Sequence, residues 1–241
     1  MTVSLPQENK EIIANECERL LNKQTSNIRE VARVLGLIVS SFSAVDHARL
    51  YYREIEKAKI FALIKSCGNF DAPMTITSNM REELDWWFTN VYKQKRAIRH
   101  ESPKITITTD ASMRGWGAVL GAISIGGRWS AEQNNHINTL EMMAIFLALK
   151  LFTAEISNNH IMILCDNTTA VSYITKMGSI KSTSCNKASK QIWLFCIKNK
   201  IWLSCSHIPG KQNILADFKS RKFNDQSEWK LNQIFNKLCA I

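Results

Sequence analysis

Over the first hundred residues the apolar positions recur at helical spacing. Ile12, Ile13, Cys17, Leu20 and Leu21 form one stripe, residues 28–42 carry a second and residues 48–66 a third. A fourth helix is predicted in "SNMREELDWWF", with Ser78 as N-cap and Glu82 and Glu83 in its first turn. Near residues 94–103 the pattern breaks into a polar, basic stretch interrupted by Pro103, which reads as a linker. Beyond it the period changes to two. Residues 104–110 alternate as a half-buried strand, and "GWGAVLGAISIGGRWS" gives two more short strands with glycine turns, expected to run antiparallel to it. Residues 137–152 then predict a helix and "HIMILCDN" a strand. "TTAVSYITKMG" predicts a helix that Gly178 ends in the left-handed conformation, residues 184–200 a longer helix, "IWLSCSHIPG" a strand, and "QNILADFKSR" a last helix. The order βββαβααβα implies a mixed sheet with helices on its faces.

The composition, 45% hydrophobic and 22% charged over 241 residues, allows one large domain or two small ones. The longest apolar runs, around residues 34–42 and 142–152, are too short or too interrupted to span a bilayer, and the first residues have no apolar signal core. A soluble intracellular protein, cytoplasmic or nuclear and without a membrane partner, is expected. Seven scattered cysteines with no C-x-x-C pair read as small core residues rather than as a zinc or disulfide framework.

Charge changes the picture. The net charge is +10, and residues 167–222 hold ten lysines and arginines against one acid, Asp217. A basic surface this concentrated suggests a polyanionic partner, usually nucleic acid. Against that background four acids stand out by position. Asp110 ends the first strand of the second half and Asp166 ends the fourth. Glu141 lies in the first turn of the long helix and Asp217 in the last helix. Each has a local alternative: Asp110 and Asp166 can cap turns, Glu141 suits a helix N-terminus, and Asp217 can pair with Arg221 one turn on. If the first and fourth strands are parallel neighbours, however, their ends meet on one edge of the sheet. Two carboxylates about 4 Å apart repel by roughly 4 kcal/mol at a surface-like dielectric, so a cluster of four needs protons or cations. Oxygen ligands favour Mg²⁺ or Mn²⁺ over zinc, and a pair of such ions about 3.5–4 Å apart supports phosphodiester hydrolysis.

"TDASMRGWGAVL", "HINTLEMMAIFLAL", "LCDNTTAVSYI" and "HIPGKQNILADFKSR" resemble the type 1 ribonuclease H domain, with the flavour of those fused to reverse transcriptases of DIRS-type, tyrosine-recombinase retrotransposons. The resemblance covers residues 104–222. It implies a five-stranded mixed sheet flanked by helices, preceded over residues 1–100 by a mostly helical region similar to the thumb or connection of such a polyprotein, and followed by a tail at 223–241. The outer resemblance rests on "IREVARVLGLIVSSFSAVDHARLYYREIEKAK", "EELDWW" and "FNDQSEWKLN". It also implies two Mg²⁺ or Mn²⁺ ions held by Asp110, Glu141, Asp166 and Asp217, and cleavage of the RNA strand of an RNA–DNA hybrid. Asp110 would bridge both ions, and Asp217 would help hold the ion that carries the attacking water. Ser112, Asn138, Thr168 and Asn213 fall where the family has small or contact residues, and minor-groove reading makes sense because the 2′-hydroxyls lie there.

Departures shape the expectation. The loop before Asp217 is short and has Lys211 where many relatives carry a mobile histidine; His207 and His136 read as structural. There is no room for a basic protrusion between Gly178 and Cys185, so grip falls to Lys181, Lys187, Lys190 and the first half. No Tyr-x-Asp-Asp-like motif appears, which reads as a fragment or derivative of a polyprotein whose polymerase part would be a partner. Two other functions stay open: a catalytically silent hybrid-binding remnant, and a transposase or integrase, the latter disfavoured because its last acid is commonly a glutamate.

Overall fold

Cys17 and Leu20, in the first apolar stripe, have no exposed surface at all, and that full burial shows where the first core sits. The computed structural model describes residues 1–98, 101–130 and 135–223. It divides into a first unit, Met1–His100 with Ser179–Lys181, and a second, Glu101–Gly178 with the chain from Ser182 onward.

In the first unit, β1 (Thr2–Val3) leads into α1 (Gln7–Leu21), β2 (Thr25–Asn27) into α2 (Ile28–Ser40), then come α3 (Arg53–Lys65), β3 (Pro73–Thr75), α4 (Ser78–Asn90) and β4 (Arg96–Ala97). β1 pairs antiparallel with β4, and β2 with β3. Inside the expected linker the chain therefore forms a short strand. Ile13, Val31, Val34, Ile38, Leu84 and Trp87 pack in one core, the i, i+3, i+7 spacing of α2 supplying three of them. Two local expectations change. Thr77, not Ser78, caps α4, its hydroxyl accepting from the Met80 amide at 3.4 Å. The third helix starts at Arg53 rather than Ala48, after a single 3₁₀ turn at Ala48–Leu50. Glu83, 2% exposed, explains that start: its carboxylate accepts the amides of Glu54 (3.0 and 3.1 Å) and Ile55 (3.1 Å). It thus satisfies the orphan donors that a helix N-terminus presents.

The second unit contains β5 (Ile105–Ala111), β6 (Gly115–Leu120), β7 (Ile123–Arg128), α5 (Ile137–Leu151), the one-turn α6 (Thr153–Ile156), β8 (His160–Cys165), α7 (Thr168–Thr175), α8 (Thr183–Lys198), β9 (Trp202–His207) and α9 (Ile214–Arg221). The five strands form one mixed sheet in the order β7-β6-β5-β8-β9. β5 is antiparallel to β6 and parallel to β8, and β8 is parallel to β9. The result is an α/β unit, a five-stranded mixed sheet flanked by helices. The α5 helix is apolar on most of its surface because it is a core helix, with Leu140, Met142, Ile145, Ala148 and Leu149 all buried. The α7 helix ends as a left-handed turn, but the turn falls on Met177 (φ 54°) as well as Gly178 (φ 109°). The Gly178 and Met177 amides return to the carbonyls of Tyr173 and Ile174, at 2.8 and 3.1 Å.

The α9 helix packs directly on β6. A Cβ on Gly117 would lie 2.2 Å from the Ala216 carbonyl oxygen and 2.8 Å from the Lys219 Cβ, so only glycine admits this approach. Among the described residues no helix is long and apolar enough to cross a membrane.

Candidate active site

The pairing of β5 with β8 builds the site. Thr109 stands opposite Cys165 in parallel register, so Asp110 and Asp166 come next on adjacent strand paths at the same edge. In β5, hydrophobic Ile107 points into the core while Asp110 closes the strand, 3% exposed. Glu141, also 3% exposed, reaches the same edge from the first turn of α5. Cys165 donates from Sγ to Glu141 Oε2 at 3.7 Å. Ligand atoms of Glu141, Cys165 and Asp166 lie within 4.8 Å of one another. Gly210 closes in on Asp166, where a Cβ would sit 3.2 Å from Oδ2.

Asp110 is held from α9. Ser220 Oγ donates to Oδ2 at 2.5 Å, and Asn213 Nδ2 donates to Oδ1 at 3.3 Å and to the Thr109 carbonyl at 3.0 Å. Residues 213 and 220 are two helical turns apart and so face the same way. Asp217 lies between them on the same helix, half-exposed, with Oδ1 bound by Arg221 Nε at 2.6 Å.

The electrostatics follow from this crowding. Burial raises the Asp110 carboxyl to about 6; the Ser220 hydroxyl opposes the rise, while the charges of Asp166 and Asp217 add to it and Arg221 opposes it. Burial raises Glu141 to about 8; Asp110 and Asp166 add to that, and bonds from Cys165 and the Ala111 backbone oppose it. The Cys165 thiol is pushed up by burial and by Glu141. Such carboxylates favour either a proton or a multivalent cation. All four acids offer only oxygen, and Cys165 adds a thiol beside Glu141 and Asp166. The donor set fits hard divalent cations such as Mg²⁺ or Mn²⁺.

The other candidate residues separate. Asn138 Oδ1 accepts from Asn167 Nδ2 at 3.0 Å, and Thr168 is exposed at the first position of α7, so both border the acid cluster. His136 caps α5, its Nδ1 accepting from the Asn138 amide at 3.2 Å. Ser112 is committed to structure. Its hydroxyl donates to the Ser220 carbonyl at 2.6 Å and accepts the amides of Arg114 and Gly115, both at 3.1 Å. Asn213, read as a nucleic-acid contact, is 1% exposed and spends its amide on Asp110 and Thr109; it positions an acid and does not face a ligand surface. Lys187, Lys190 and Lys211 lie in the second unit, Lys187 and Lys211 exposed, whereas Lys181 groups with the first. The tail resemblance at 224–241 lies outside the described residues.

Sequence reasoning passed over three residues. Asn167 caps α7 through Oδ1, accepting the Ala170 amide at 2.9 Å, while its Nδ2 ties α7 to Asn138 at the start of α5. Its place directly after Asp166, in a D-N-T string before an apolar run, was the available cap signal. Ser220 and Cys165 gave no such signal, because their partners are distant in the chain.

Residues 100–198 match the model of a family described as an RNase H-like domain found in reverse transcriptase. The enzymatic polyprotein of cauliflower mosaic virus (strain D/H) is 29% identical over 176 residues, covering 62% of this chain and 26% of the viral protein. That of carnation etched ring virus is 25% identical over 171 residues, covering 59% and 25%. The chain thus spans about a quarter of the length of these curated relatives. Among solved structures, RNase H1 of Halobacterium salinarum aligns over 48% of this chain and 92% of its own, at 16% identity and a TM-score of 0.41. LC11-RNase H1 in complex with an RNA/DNA hybrid aligns over 48% and 93%, at 19% identity and a TM-score of 0.42.

Proposed function

We propose that this chain, which carries an RNase H-like domain of the kind found in reverse transcriptase polyproteins, hydrolyses the RNA strand of RNA–DNA hybrids with two divalent cations. The observation that carries the reading is the meeting of four acids from four separate elements. Burial raises the Asp110 and Glu141 carboxyls, the charges of Asp166 and Asp217 add to the rise at Asp110, and those of Asp110 and Asp166 add to the rise at Glu141. Asp110, Glu141, Asp166 and Asp217 would hold the ions, which when bound supply electrophilic stabilisation of the scissile phosphate and favour ionisation of the attacking water. Asp110 would serve as the shared ligand, because its two oxygens are oriented separately by Asn213 and Ser220. Asp217, half-exposed on α9 and paired with Arg221, would help hold the ion that carries the attacking water. Thr168 and Asn138 would meet the minor groove, and Lys187, Lys190 and Lys211 the phosphates, with a charge-assisted and salt-sensitive grip.

The finer assignment follows the quoted motifs: a DIRS-type retroelement reverse transcriptase, with residues 1–100 as its thumb- or connection-like part and a polymerase region as partner. The test is a cleavage assay on a labelled RNA–DNA hybrid with Mg²⁺ or Mn²⁺, run beside RNA–RNA and DNA–DNA duplexes. Cleavage confined to the hybrid supports the proposal. One observation favours a second reading, a silent hybrid-binding module: the 2.6 Å pair between Asp217 and Arg221 holds the fourth acid by a base. Binding with steep salt dependence and no cleavage in either cation would favour it.

A further inference from the structure

The α9 helix turns its residues the opposite way from an ordinary surface helix. Its buried positions, Ala216 and Ser220, are small and face β6 at Gly117. Its large apolar side chains point outward: Ile214 is 68% exposed, Leu215 60% and Phe218 48%. Ile214 and Phe218 lie one turn apart and Leu215 flanks them, so the three form one stripe on the side away from the sheet. Exposed apolar residues scattered singly are ordinary, but a contiguous stripe marks a surface that another element covers. A surface helix buries its large residues and shows its polar ones. The reversal in α9 fits a helix that lies between two layers.

The chain itself carries a segment that matches the stripe. Residues 224–241 follow α9 and lie outside the described residues. Among them Leu231, Ile234, Phe235 and Leu238 recur at i, i+3, i+4 and i+7, with Asn232, Gln233, Asn236 and Lys237 between. That spacing predicts a helix with one apolar face, and a helix this short is marginal in water unless that face is packed. The lengths agree. The stripe from Ile214 to Phe218 runs about 6 Å along α9, and Leu231 to Leu238 would span about 10 Å. The residues 224–230 that come between reach roughly 23 Å when extended, enough to reverse across a helix.

Charge sets the direction. The acids of the segment, Asp225 and Glu228, precede its apolar positions, and the C-terminal end of α9 carries Lys219, Arg221 and Lys222. A chain that doubles back antiparallel to α9 passes those bases first and the apolar stripe afterwards, which pairs opposite charges and apolar faces together.

We infer that residues 231–238 pack as an amphipathic helix, antiparallel to α9, on the stripe of Ile214, Leu215 and Phe218. The occupant of that face is this chain's own segment. It holds α9 from outside while β6 holds it from inside. Because α9 carries Asp217 and Ser220, the segment positions the acid cluster without touching it.

Hydrogen exchange read by mass spectrometry on the full chain without metal tests this. Wild type is compared with I214S/L215S/F218S and with I234S/F235S/L238S. In wild type, peptides covering 231–238 should exchange at least about tenfold more slowly than an unstructured chain, and the α9 substitutions should remove that protection. The substitutions at 234, 235 and 238 should in turn speed exchange across α9. Peptides of β5 and β8 keep their wild-type protection in both variants and report an intact fold. Should a triple variant lose that protection, the single substitutions Leu215→Ser and Phe235→Ser are read in the same way. Unprotected 231–238 in wild type would overturn the inference. So would protection that survives the α9 substitutions, which would seat the segment elsewhere. Protection lost on about tenfold dilution would assign the stripe to a second copy of the chain and also overturn it. No readout uses a hybrid or a cation, so this inference and the proposed hydrolysis fail separately.

Discussion

Ser220 Oγ and Asp110 Oδ2 lie 2.5 Å apart, both groups buried, 110 residues from one another in the chain. The bond joins the last helix to the central strand at the acid cluster and orients the carboxylate that electrostatics would otherwise leave to find its own rotamer. Ser220→Ala removes the donor and leaves a buried carboxylate oxygen less well satisfied, a loss of about 1.5–3 kcal/mol where the acceptor is charged. The expected outcome is a lower urea midpoint with an unchanged slope and a hybrid-cleavage rate reduced by about ten- to a hundredfold. Ser220→Thr, which keeps the hydroxyl, recovers part of the rate. Equal loss in both variants would point to packing alone.

The acids predict how stability depends on pH. Asp110 and Glu141 have folded pKa values raised above their ordinary values, to about 6 and about 8. As pH rises from about 4 the unfolded chain releases these protons first, so the metal-free fold loses stability through the window up to about pH 8. A divalent cation stabilises the ionised forms and reverses the trend. Thermal melts in EDTA should therefore fall in Tm between pH 5 and 8, and the gain in Tm on adding Mn²⁺ should be larger at pH 8 than at pH 5. Glu141→Gln should flatten the EDTA profile. A flat wild-type profile in EDTA would contradict the burial and coupling described for these groups.

Much of the fold was legible because each element buries a simple pattern. The alternation at Ile105–Ala111 and the apolar runs of β8 and α5 read directly as strand, strand and core helix, and Asp110 and Asp166 were conspicuous as polar residues closing apolar strands. What the chain pattern did not carry was long-range. Asn213 looked like a loop contact, because nothing in "KQNILAD" announces that its amide is needed by Thr109 and Asp110, more than 100 residues earlier. Glu83 read only as a first-turn acid of α4 for the same reason: its role is written on α3.

Glu83 gives a prediction for the first unit. It accepts amides of Glu54 and Ile55 from a position 2% exposed. Glu83→Ala leaves those donors buried without an acceptor, at about 1–3 kcal/mol for each. Circular dichroism during denaturation should show a destabilisation of more than about 2 kcal/mol, with Glu83→Gln intermediate. A neutral Glu83→Ala variant would contradict the capping role.

Gly117 tests the docking of α9. A methyl group there meets the Ala216 carbonyl and Lys219 Cβ, so Gly117→Ala forces the helix away from β6 and carries Asp217, Asn213 and Ser220 with it. The expected cost is about 1–3 kcal/mol of stability, as for other overpacked contacts. Cleavage should fall further than the melting temperature implies. Gly121→Ala, where a Cβ meets nothing within 4 Å but φ is +57°, serves as a strain-only comparison and should leave cleavage per folded molecule unchanged.

The most direct measurement is cleavage of a labelled RNA–DNA hybrid by wild-type protein and by Asp110→Asn in Mg²⁺ and in Mn²⁺. Asparagine keeps the size of the side chain and one acceptor oxygen while removing the charge that would hold both ions. The account predicts RNA-strand cleavage by wild type and a loss of at least about a hundredfold in the variant, with the fold intact by circular dichroism. Cleavage by Asp110→Asn at the wild-type rate would contradict it.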